Sequence, residues 1–402
     1  MFNNKKLISF FILIMLVNFN VAAASTVESL QLTQILQDDD NGVDGLGNPR
    51  SVKVLLDNSK VFVSSGDDNA FAIFNVDNNF NLTFSQIFKN SSANINGLEG
   101  ALGVAYLSQG DQVVVTGFYD GALTQFSKNK NSYRFNKTIS DGIHYERVFH
   151  SDVPVGKLDT LGLLGAWDVI KTRDEKQLLA ASYMSNAVAI FDITSDGRIV
   201  FNKAIKDAKP LENSLGKPVS LALSLLNDEL YVLGFDNHQL TIFGRKYGGD
   251  LLVKQVIKNG VAGVEQFVNP QKVVVSPEGK FLYVACSGSN AIVVFQKKET
   301  GQYAFVQAVN NSDIGGSGLE GASSLAISAD GSKIYAAGEA GHGLYFFSTG
   351  VDGRLIYNSK LLTVRDKEIK RISSLTLTDD NQHLLVATGK GNSLLVFKIK
   401  PS

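Results

Sequence analysis

The stretch SPEGKFLYVACSGSNAIVVF, Ser276 to Phe295, decides the fold of this chain. It consists of a polar turn motif, an apolar run, a second turn motif and another apolar run that ends on phenylalanine. The same order returns in SADGSKIYAAGEAGHGLYFF, Ser328 to Phe347. Degenerate copies end at Phe74, Phe126, Phe191, Phe243 and Phe397. The seven phenylalanines are separated by 52, 65, 52, 52, 52 and 50 residues, and a fixed period of about 50 residues is typical of radial repeat proteins.

Each repeat predicts four β-strands that are separated by turns. In the fifth repeat the apolar runs are KVVVS, KFLYVAC, AIVVF and YAFVQAV, with PEG and SGSN as turn motifs. Short clusters of glycine, proline, asparagine and aspartate are what tight hairpins require. Seven such units predict an all-β chain, folded as a seven-bladed β-propeller with four-stranded blades.

The N-terminal strand of the mature chain predicts how the ring closes. The last repeat ends with LLVFKIK at Lys400 and lacks a fourth strand. The segment ESLQLTQIL, Glu28 to Leu36, is similar to the fourth strands NLTFSQIF at 81–88 and QYAFVQAV at 302–309. We therefore expect the N-terminal strand to complete the last blade, which leaves no open sheet edge between the first and last repeats.

The first residues have the pattern of a secretory signal peptide. Lys5–Lys6 precede an apolar run, Leu7–Val17, and the small residues Ala22–Ala24 follow. The apolar run is shorter than the roughly 20 residues that cross a bilayer. We expect cleavage of residues 1–24, export to the periplasm or the medium, and a propeller at 25–402 without membrane insertion.

Charge and cysteine content exclude several classes of function. The predicted mature chain has 36 basic and 39 acidic side chains, a formal charge of −3. Such a balanced charge indicates no basic surface that would bind nucleic acid or an anionic membrane. The only cysteine, Cys286, has no intrachain partner and lies in an apolar run, which favours a buried thiol in a disulfide-free monomer.

One interval between phenylalanines is longer than the others and predicts a loop insertion within residues 139–166. This segment has the densest cluster of titratable residues, including His144, Glu146 and His150. Their spacing matches no zinc or calcium pattern, so a lid or a partner-contacting loop is favoured over a metal site.

A second acidic segment invites a calcium interpretation. The run Asp38–Asp40 and the nearby Asp44 lack the bidentate acid that an EF-hand loop carries, so a solvated turn is favoured. We expect neither a metal ion nor a cofactor.

The connections between repeats are similar to those of a known family. They have the sequences DGLGNP at 44–49, NGLEGA at 96–101 and SGLEGA at 317–322. Together with SPEGKFLYVA and AIVVF, they resemble the lactonase-type seven-bladed propellers, the group that contains 6-phosphogluconolactonase and carboxymuconate cyclase. The resemblance covers the mature chain and is closest to exported members with repeated G-L-x-G-A connections. It implies a propeller fold, and lactone hydrolysis or ring closure as the activity.

The chain departs from the enzymatic branch of that family at two positions. That branch resembles this chain but carries a histidine near the start of an inner strand and a glutamate after the second strand. Aligned on the seven phenylalanines, the histidine position is occupied by the following residues: Ser51, Gly103, Asp168, Ser220, Lys272, Ser324 and Ser374. At the glutamate position only Glu339 matches, and Pro49-Arg50-Ser51 has the first two residues of a Pro-Arg-His motif.

Five residues are the candidates for ligand binding. Asp168 and Lys272 are the charged members of the inner ring; they could form a ligand clamp, an acid-base pair or a water-bridged ion pair. Glu339 and His342, in the turn GEAGHG, could be a base with its orienting partner, two metal ligands, or exposed turn residues. Arg50 lies at the same predicted channel mouth.

Two hypotheses on function follow from these candidates. The first is that the loop-rich face binds a small molecule or an envelope protein without catalysis, because the histidines are missing and one loop is enlarged. The alternative is a lactone hydrolase or cyclase, because of the family resemblance and the presence of Glu339, Arg50, Asp168 and Lys272 near one predicted channel mouth.

Overall fold

In the computed structural model, the described residues are 29–143, 158–206, 215–246 and 250–400. The predicted signal segment, 1–24, lies outside them. The central part of the predicted insertion also lies outside them, with His144, Glu146 and His150.

The described chain forms seven four-stranded antiparallel sheets and one small hairpin. Blade 1 comprises β2 (Pro49–Val54), β3 (Lys60–Ser65), β4 (Ala70–Val76) and β5 (Leu82–Lys89). Blade 2 comprises β6 (Ala101–Leu107), β7 (Gln112–Gly117), β8 (Ala122–Asn129) and β9 (Ser132–Ser140). Blade 3 comprises β10 (Ala166–Lys171), β11 (Gln177–Ser182), β12 (Ala187–Ile193) and β13 (Ile199–Lys206). Blade 4 comprises β14 (Pro218–Leu223), β15 (Glu229–Gly234), β16 (Gln239–Arg245) and β17 (Leu251–Lys258). Blade 5 comprises β18 (Pro270–Val275), β19 (Phe281–Cys286), β20 (Ala291–Lys297) and β21 (Tyr303–Asn310). Blade 6 comprises β22 (Ala322–Ile327), β23 (Lys333–Gly338), β24 (Leu344–Thr349) and β25 (Leu355–Leu361). The small hairpin that follows consists of β26 (Thr363–Val364) and β27 (Lys367–Glu368). Blade 7 comprises β28 (Ile372–Leu377), β29 (His383–Thr388), β30 (Ser393–Lys400) and β1 (Ser29–Gln37). Short 3-10 turns at Ser108–Gly110 and Asn311–Ile314 complete the described elements. None of the helices among the described residues has the length and apolar character needed to cross a bilayer.

The topology confirms the predicted propeller and its closure. Within blades 1 to 6 the strands pair in sequence order, from the inner strand to the outer one. In blade 7 the order is β28, β29, β30 and then β1, which pairs with β30 from Ser29 opposite Lys400 to Gln37 opposite Ser393. Inner strands of neighbouring blades contact each other around the whole ring, including β28 with β2.

The repeated phenylalanine of each blade fills the interface with the preceding blade. Hydrophobic clusters of the described chain each combine buried residues from two neighbouring blades. One repeat phenylalanine belongs to each of the seven clusters, and none is more than 1% exposed: Phe74, Phe126, Phe191, Phe243, Phe295, Phe347 and Phe397. The period of the sequence is therefore the period of the core. Cys286 is also buried, as predicted, and burial raises the pKa of its thiol.

A β-bulge lies opposite every repeat phenylalanine, and a side chain beyond it links several blades. In blade 1, Phe74 pairs with Phe84 while Ile73 pairs with Gln86, so the outer strand has one extra residue. The Gln86 amide then donates to the Tyr133 carbonyl at 3.1 Å and accepts from the Tyr133 N–H at 2.6 Å, in the next blade. Because bulges increase strand twist, this position is turned toward the neighbouring blade.

The closing interface has the same link. In β1 the bulge falls between Leu32 and Gln34, opposite Phe397 and its neighbour. The Gln34 amide donates to the Leu82 carbonyl and accepts from the Leu82 N–H, both at 2.8 Å. The N-terminal strand thus joins blade 7 to blade 1 by the contact that Gln86 makes between blades 1 and 2.

A left-handed residue precedes the inner strand of every blade, which accounts for the second glycine of the G-L-x-G-A connections. Gly100 and Gly321 have φ values of 64° and 62°, a region that glycine enters without steric cost. The other blades have a glycine, asparagine, lysine or arginine in the same conformation: Gly165, Asn48, Asn269, Lys217 and Arg371. The Gly100 N–H donates to Asn69 Oδ1 of the preceding blade at 2.7 Å. These connections therefore also join neighbouring blades.

We predict that Gln34→Ala lowers the free energy of unfolding by about 1–3 kcal/mol, because two hydrogen bonds are lost and the Leu82 backbone groups lose their partner. Thermal or urea unfolding of the purified protein measures the change. Gln86→Ala is the matched variant at an ordinary interface and should cost a similar amount. An unchanged Gln34→Ala protein would show that the closing contact contributes nothing to stability.

Candidate functional site

The inner strands surround a central cavity of about 400 Å³. The seven positions aligned with the family's histidine all line it: Ser51, Gly103, Asp168, Ser220, Lys272, Ser324 and Ser374. Each inner strand shifts register beside this position; Pro270 pairs with Cys286 and Lys272 with Ala285, which leaves Gln271 as an extra residue. The bulge explains how consecutive residues such as Gln271 and Lys272 both line the cavity.

Arg50 and Glu339 form an ion pair at the cavity wall. The guanidinium of Arg50 bonds the carboxylate through both Nη atoms, Nη1 to Oε1 and Nη2 to Oε2, the second at 3.3 Å. Their side chains are 19% and 35% exposed. They come from blades 1 and 6, on either side of blade 7, where Gly389 at the position equivalent to Glu339 has no side chain to separate them. The pair uses two of the five N–H donors of Arg50 and one acceptor position on each carboxylate oxygen of Glu339.

Asp168 connects two blades from within the cavity. Its Oδ2 accepts the N–H of Leu221, on the next inner strand, at 3.0 Å. Ser324 makes the equivalent bond, in which its Oγ accepts the N–H of Leu375 at 2.8 Å. Asp168 thus shares a structural role with a serine of the ring.

Lys53 is a site residue that the sequence analysis missed. It lies on β2 two positions after Ser51 and lines the cavity with Lys272 and Asp168. The pKa of Lys53 is lowered to about 8, chiefly by burial and also by the charge of Lys272, while the charge of Asp168 opposes the change. The signal in the sequence was a lysine at a position where the other blades have small, apolar or threonine side chains: Ala105, Ile170, Ala222, Val274, Ala326 and Thr376.

The two cavity lysines have no acidic partner in the described part of the chain. There, no carboxylate oxygen lies within 4.0 Å of the Nζ atom of Lys53 or Lys272. Arg50 and Glu339 neutralise each other, and Asp168 is one carboxylate against two ammonium groups. The cavity therefore has an excess of positive charge.

His342 lies apart from the other candidates. Its Nδ1 is 3.7 Å from Oε2 of Glu368, on β27, and its side chain is 59% exposed. It does not contribute to the cavity wall, whereas Glu339 does. The structure brings together Arg50, Asp168, Lys272 and Glu339 around one cavity and leaves His342 on the outer surface.

Trp167 occupies a different position from the one that strand alternation indicates. A strand residue next to Asp168 is expected to point into the packing between sheets. Because Ala166 pairs with Ser182 and Asp168 with Ala181, Trp167 is the extra residue of a bulge and lines the cavity beside Asp168. It also packs against the core between blades 4 and 5.

The acidic segment near the N-terminus is a turn whose carboxylates have protein partners. Carboxylate oxygens of Asp38, Asp39 and Asp44 lie within 4.8 Å of one another. Asp38 Oδ1 accepts the N–H of Leu46 at 2.8 Å, and Asp44 pairs with Lys89 at 2.8 Å. These contacts account for two of the three carboxylates without a ligand.

Comparisons with known proteins identify similar folds. No family model and no curated protein matches the sequence. Among solved structures, a candidate 6-phosphogluconolactonase from Bacteroides uniformis has a TM-score of 0.62 at 14% identity, over 84% of this chain and 91% of that chain. A candidate 6-phosphogluconolactonase from Bacteroides fragilis has 0.62 at 17% identity, over 82% and 86%. The periplasmic gluconolactonase of Pseudomonas aeruginosa has 0.62 at 16% identity, over 81% and 86%.

These structural similarities extend over most of each chain. Because the sequence identities are low, the similarities show a common fold and nothing about activity. The resemblance to lactonase-type propellers is confirmed at that level: this chain has the seven-bladed propeller fold of those proteins.

Proposed function

We propose that this protein binds a small, hydroxyl-rich carboxylate anion in its central cavity and does not transform it. The observation that carries the proposal is the pair Lys53 and Lys272, which line the cavity without a carboxylate within 4.0 Å among the described residues. Two ammonium groups that line one narrow cavity repel each other, as the effect of Lys272 on the pKa of Lys53 indicates, and a bound anion relieves that repulsion.

The polar lining supports a ligand with several hydroxyl groups. Hydroxyl side chains from four of the inner strands line the same cavity as the lysines: Ser51, Ser220, Ser323, Ser324, Ser373, Ser374 and Thr376. A hydroxyl group both donates and accepts, so such a lining complements the hydroxyls of a sugar acid. A cavity of about 400 Å³ is within the range of small-molecule sites, roughly 300–1,000 Å³.

A lactone hydrolase is the second candidate, and one observation favours it. With a pKa of about 8, Lys53 is partly deprotonated near neutral pH and could act as a general base toward water at a lactone carbonyl. The structural neighbours include a gluconolactonase. Against this candidate, Glu339 is held by Arg50, and none of the aligned ring positions is a histidine.

Export and the choice of partner belong to the same proposal. The signal pattern of residues 1–24 supports export, and one structural neighbour is described as periplasmic. A small molecule is favoured over an envelope protein because the unpartnered charges lie within the cavity, where a folded protein surface has little access.

We predict that the protein binds gluconate and not glucose, because only the acid supplies a charge for Lys53 and Lys272. Isothermal titration calorimetry at pH 7 measures both affinities. Lys272→Met should weaken gluconate binding at least tenfold, since a buried charge-assisted contact contributes about 1.5–3 kcal/mol. The affinity of the wild type should decline as the pH rises above about 8, where Lys53 loses its proton.

The exposed lysine Lys176 provides the control, and Lys176→Met should bind gluconate as the wild type does. Equal affinities for gluconate and glucose, or full binding by Lys272→Met, would contradict anion recognition in the cavity.

We also predict that Lys53→Met stabilises the fold by roughly 1–3 kcal/mol at pH 7. The lowered pKa means that the folded chain holds this proton less tightly than the unfolded chain does. The destabilisation of the fold by Lys53 is therefore largest below about pH 8, where the side chain is protonated in both states. It declines above that pH and disappears as the pH approaches 10.5, the pKa of the unfolded chain. Melting temperatures of variant and wild type should differ at pH 7 and converge near pH 10. Destabilisation by Lys53→Met would indicate a structural lysine.

For the second candidate, D-glucono-δ-lactone is the direct substrate probe. We expect the protein to leave the spontaneous hydrolysis rate unchanged, because Glu339 is held by Arg50 and none of the aligned ring positions is a histidine. A pH-stat assay at pH 6.5 measures the rate. Catalysed turnover that disappears in Glu339→Gln would replace the binding proposal with the lactonase.

A further inference from the structure

We propose that the cavity has a second subsite at its mouth, which binds a sugar ring, so that the ligand is an acidic saccharide of at least two rings. This inference rests on the proposed function, since it extends the ligand whose acidic end lies at Lys53 and Lys272.

A continuous row of aromatic side chains lies along one side of the mouth. The ring centroids of Phe118 and Tyr119 are 5.1 Å apart, and those of Phe118 and Trp167 are 5.7 Å apart. The row continues from Trp167 to Tyr183 at 6.1 Å and from Tyr183 to Phe235 at 6.3 Å. It thus crosses blades 2, 3 and 4.

The row occupies one sector of the ring. Phe118, Tyr183 and Phe235 stand eight residues before the repeat phenylalanine of their blades. The other blades have small or acidic residues at this position: Gly66, Ser287, Glu339 and Gly389. The mouth is therefore aromatic on blades 2 to 4, and the Arg50–Glu339 pair lies in the remaining sector, on blades 1 and 6.

These rings are only partly covered by the protein. Tyr119 is 39% exposed, and Phe118, Trp167, Tyr183 and Phe235 are half-buried. The repeat phenylalanines, by contrast, are completely enclosed between blades. Aromatic side chains with one face on the core and another toward solvent form a surface on which the apolar face of a ring can stack.

A second cavity of about 260 Å³ lies against this row. It shares Arg50, Leu102 and Trp167 with the central cavity, so the two spaces are adjacent. Phe118 and Tyr119 complete its aromatic wall. A cavity of about 150 Å³ can hold a benzene ring, so this one has room for a six-membered ring with its substituents.

Polar groups at this cavity favour a sugar over an aryl ring. Asp67 lines it, with Oδ1 bonded to the side-chain N–H of Asn48 at 2.9 Å. The remaining carboxylate oxygen can accept a sugar hydroxyl, whereas an aryl ring would displace water from it without providing a donor. Stacking surface and carboxylate acceptor together match a ring that has apolar faces and hydroxylated edges.

The test compares gluconate with lactobionate, which is gluconate bearing one galactose ring. Calorimetry at pH 7 should show about tenfold or tighter binding of lactobionate, an amount that one well-stacked ring supplies. Tyr119→Ala should remove this advantage and leave gluconate affinity unchanged, because Tyr119 lines only the second cavity. Leu226→Ala, a truncation of a side chain that is 80% exposed on blade 4, is the control.

A second variant addresses the same cavity by filling it. Gly66 lines the second cavity and not the central one, and a Cβ there would be 3.4 Å from Arg50 Cγ, an ordinary contact. Gly66→Leu should therefore fold, bind gluconate and lose the preference for lactobionate.

The outcomes separate the two proposals. Equal affinities for gluconate and lactobionate would refute the subsite and leave the anion site intact. If neither acid binds, the proposed function fails, and the subsite fails with it. A gain from glucuronate to phenyl glucuronide that exceeds the gain from gluconate to lactobionate would overturn the sugar assignment in favour of an aryl-binding surface.

Discussion

The structure depends on closing a ring of blade-to-blade interfaces, because no blade buries its apolar residues alone. Each hydrophobic cluster draws on two neighbouring blades, and the repeat phenylalanine of one blade completes the interface with the blade before it. The interface between blades 7 and 1 is special because both chain ends meet there. β1 brings to it the bulge and the glutamine link that other outer strands have, through Gln34 and Leu82. The closing interface is thus equivalent to the others, and β1 pairs with the edge of β30 that would otherwise be open.

This arrangement separates stability from the chemistry of the cavity. The hydrophobic core lies between the blades. Residues that face the central axis contribute little to this packing and can therefore differ from blade to blade. Some still accept N–H groups from the next inner strand, as Asp168 and Ser324 do. Lys53 and Lys272 repel each other, and burial of Lys53 adds to the cost, so this pair opposes folding. Local costs of this kind are typical of functional sites, where activity rather than stability determines the residue.

The sequence predicted the fold and the inner ring because both follow the period of the phenylalanines, and each phenylalanine fills one interface. Lys53 was missed because a single lysine in an apolar strand could equally face solvent; only its alignment with small and apolar residues of other blades marks it as inward. The pairing of Arg50 with Glu339 joins residues 289 positions apart and requires knowledge that blades 1 and 6 flank blade 7. The place of Trp167 at the cavity depends on the bulge between Ala166 and Asp168, so alternation alone indicated only its packing against the core.

Departure from sevenfold symmetry is the strongest guide to function in this ring. At structural positions the blades agree: every repeat has its buried phenylalanine and a left-handed residue before the inner strand. At the cavity they disagree, with lysines on β2 and β18, an acid at Glu339 and aromatic rings on blades 2 to 4. Folding alone would tolerate the same residue in every blade, so it does not require this polarity. In the proposed complex, the anionic end of the ligand lies toward the lysines and its remaining ring lies toward Phe118 and Trp167.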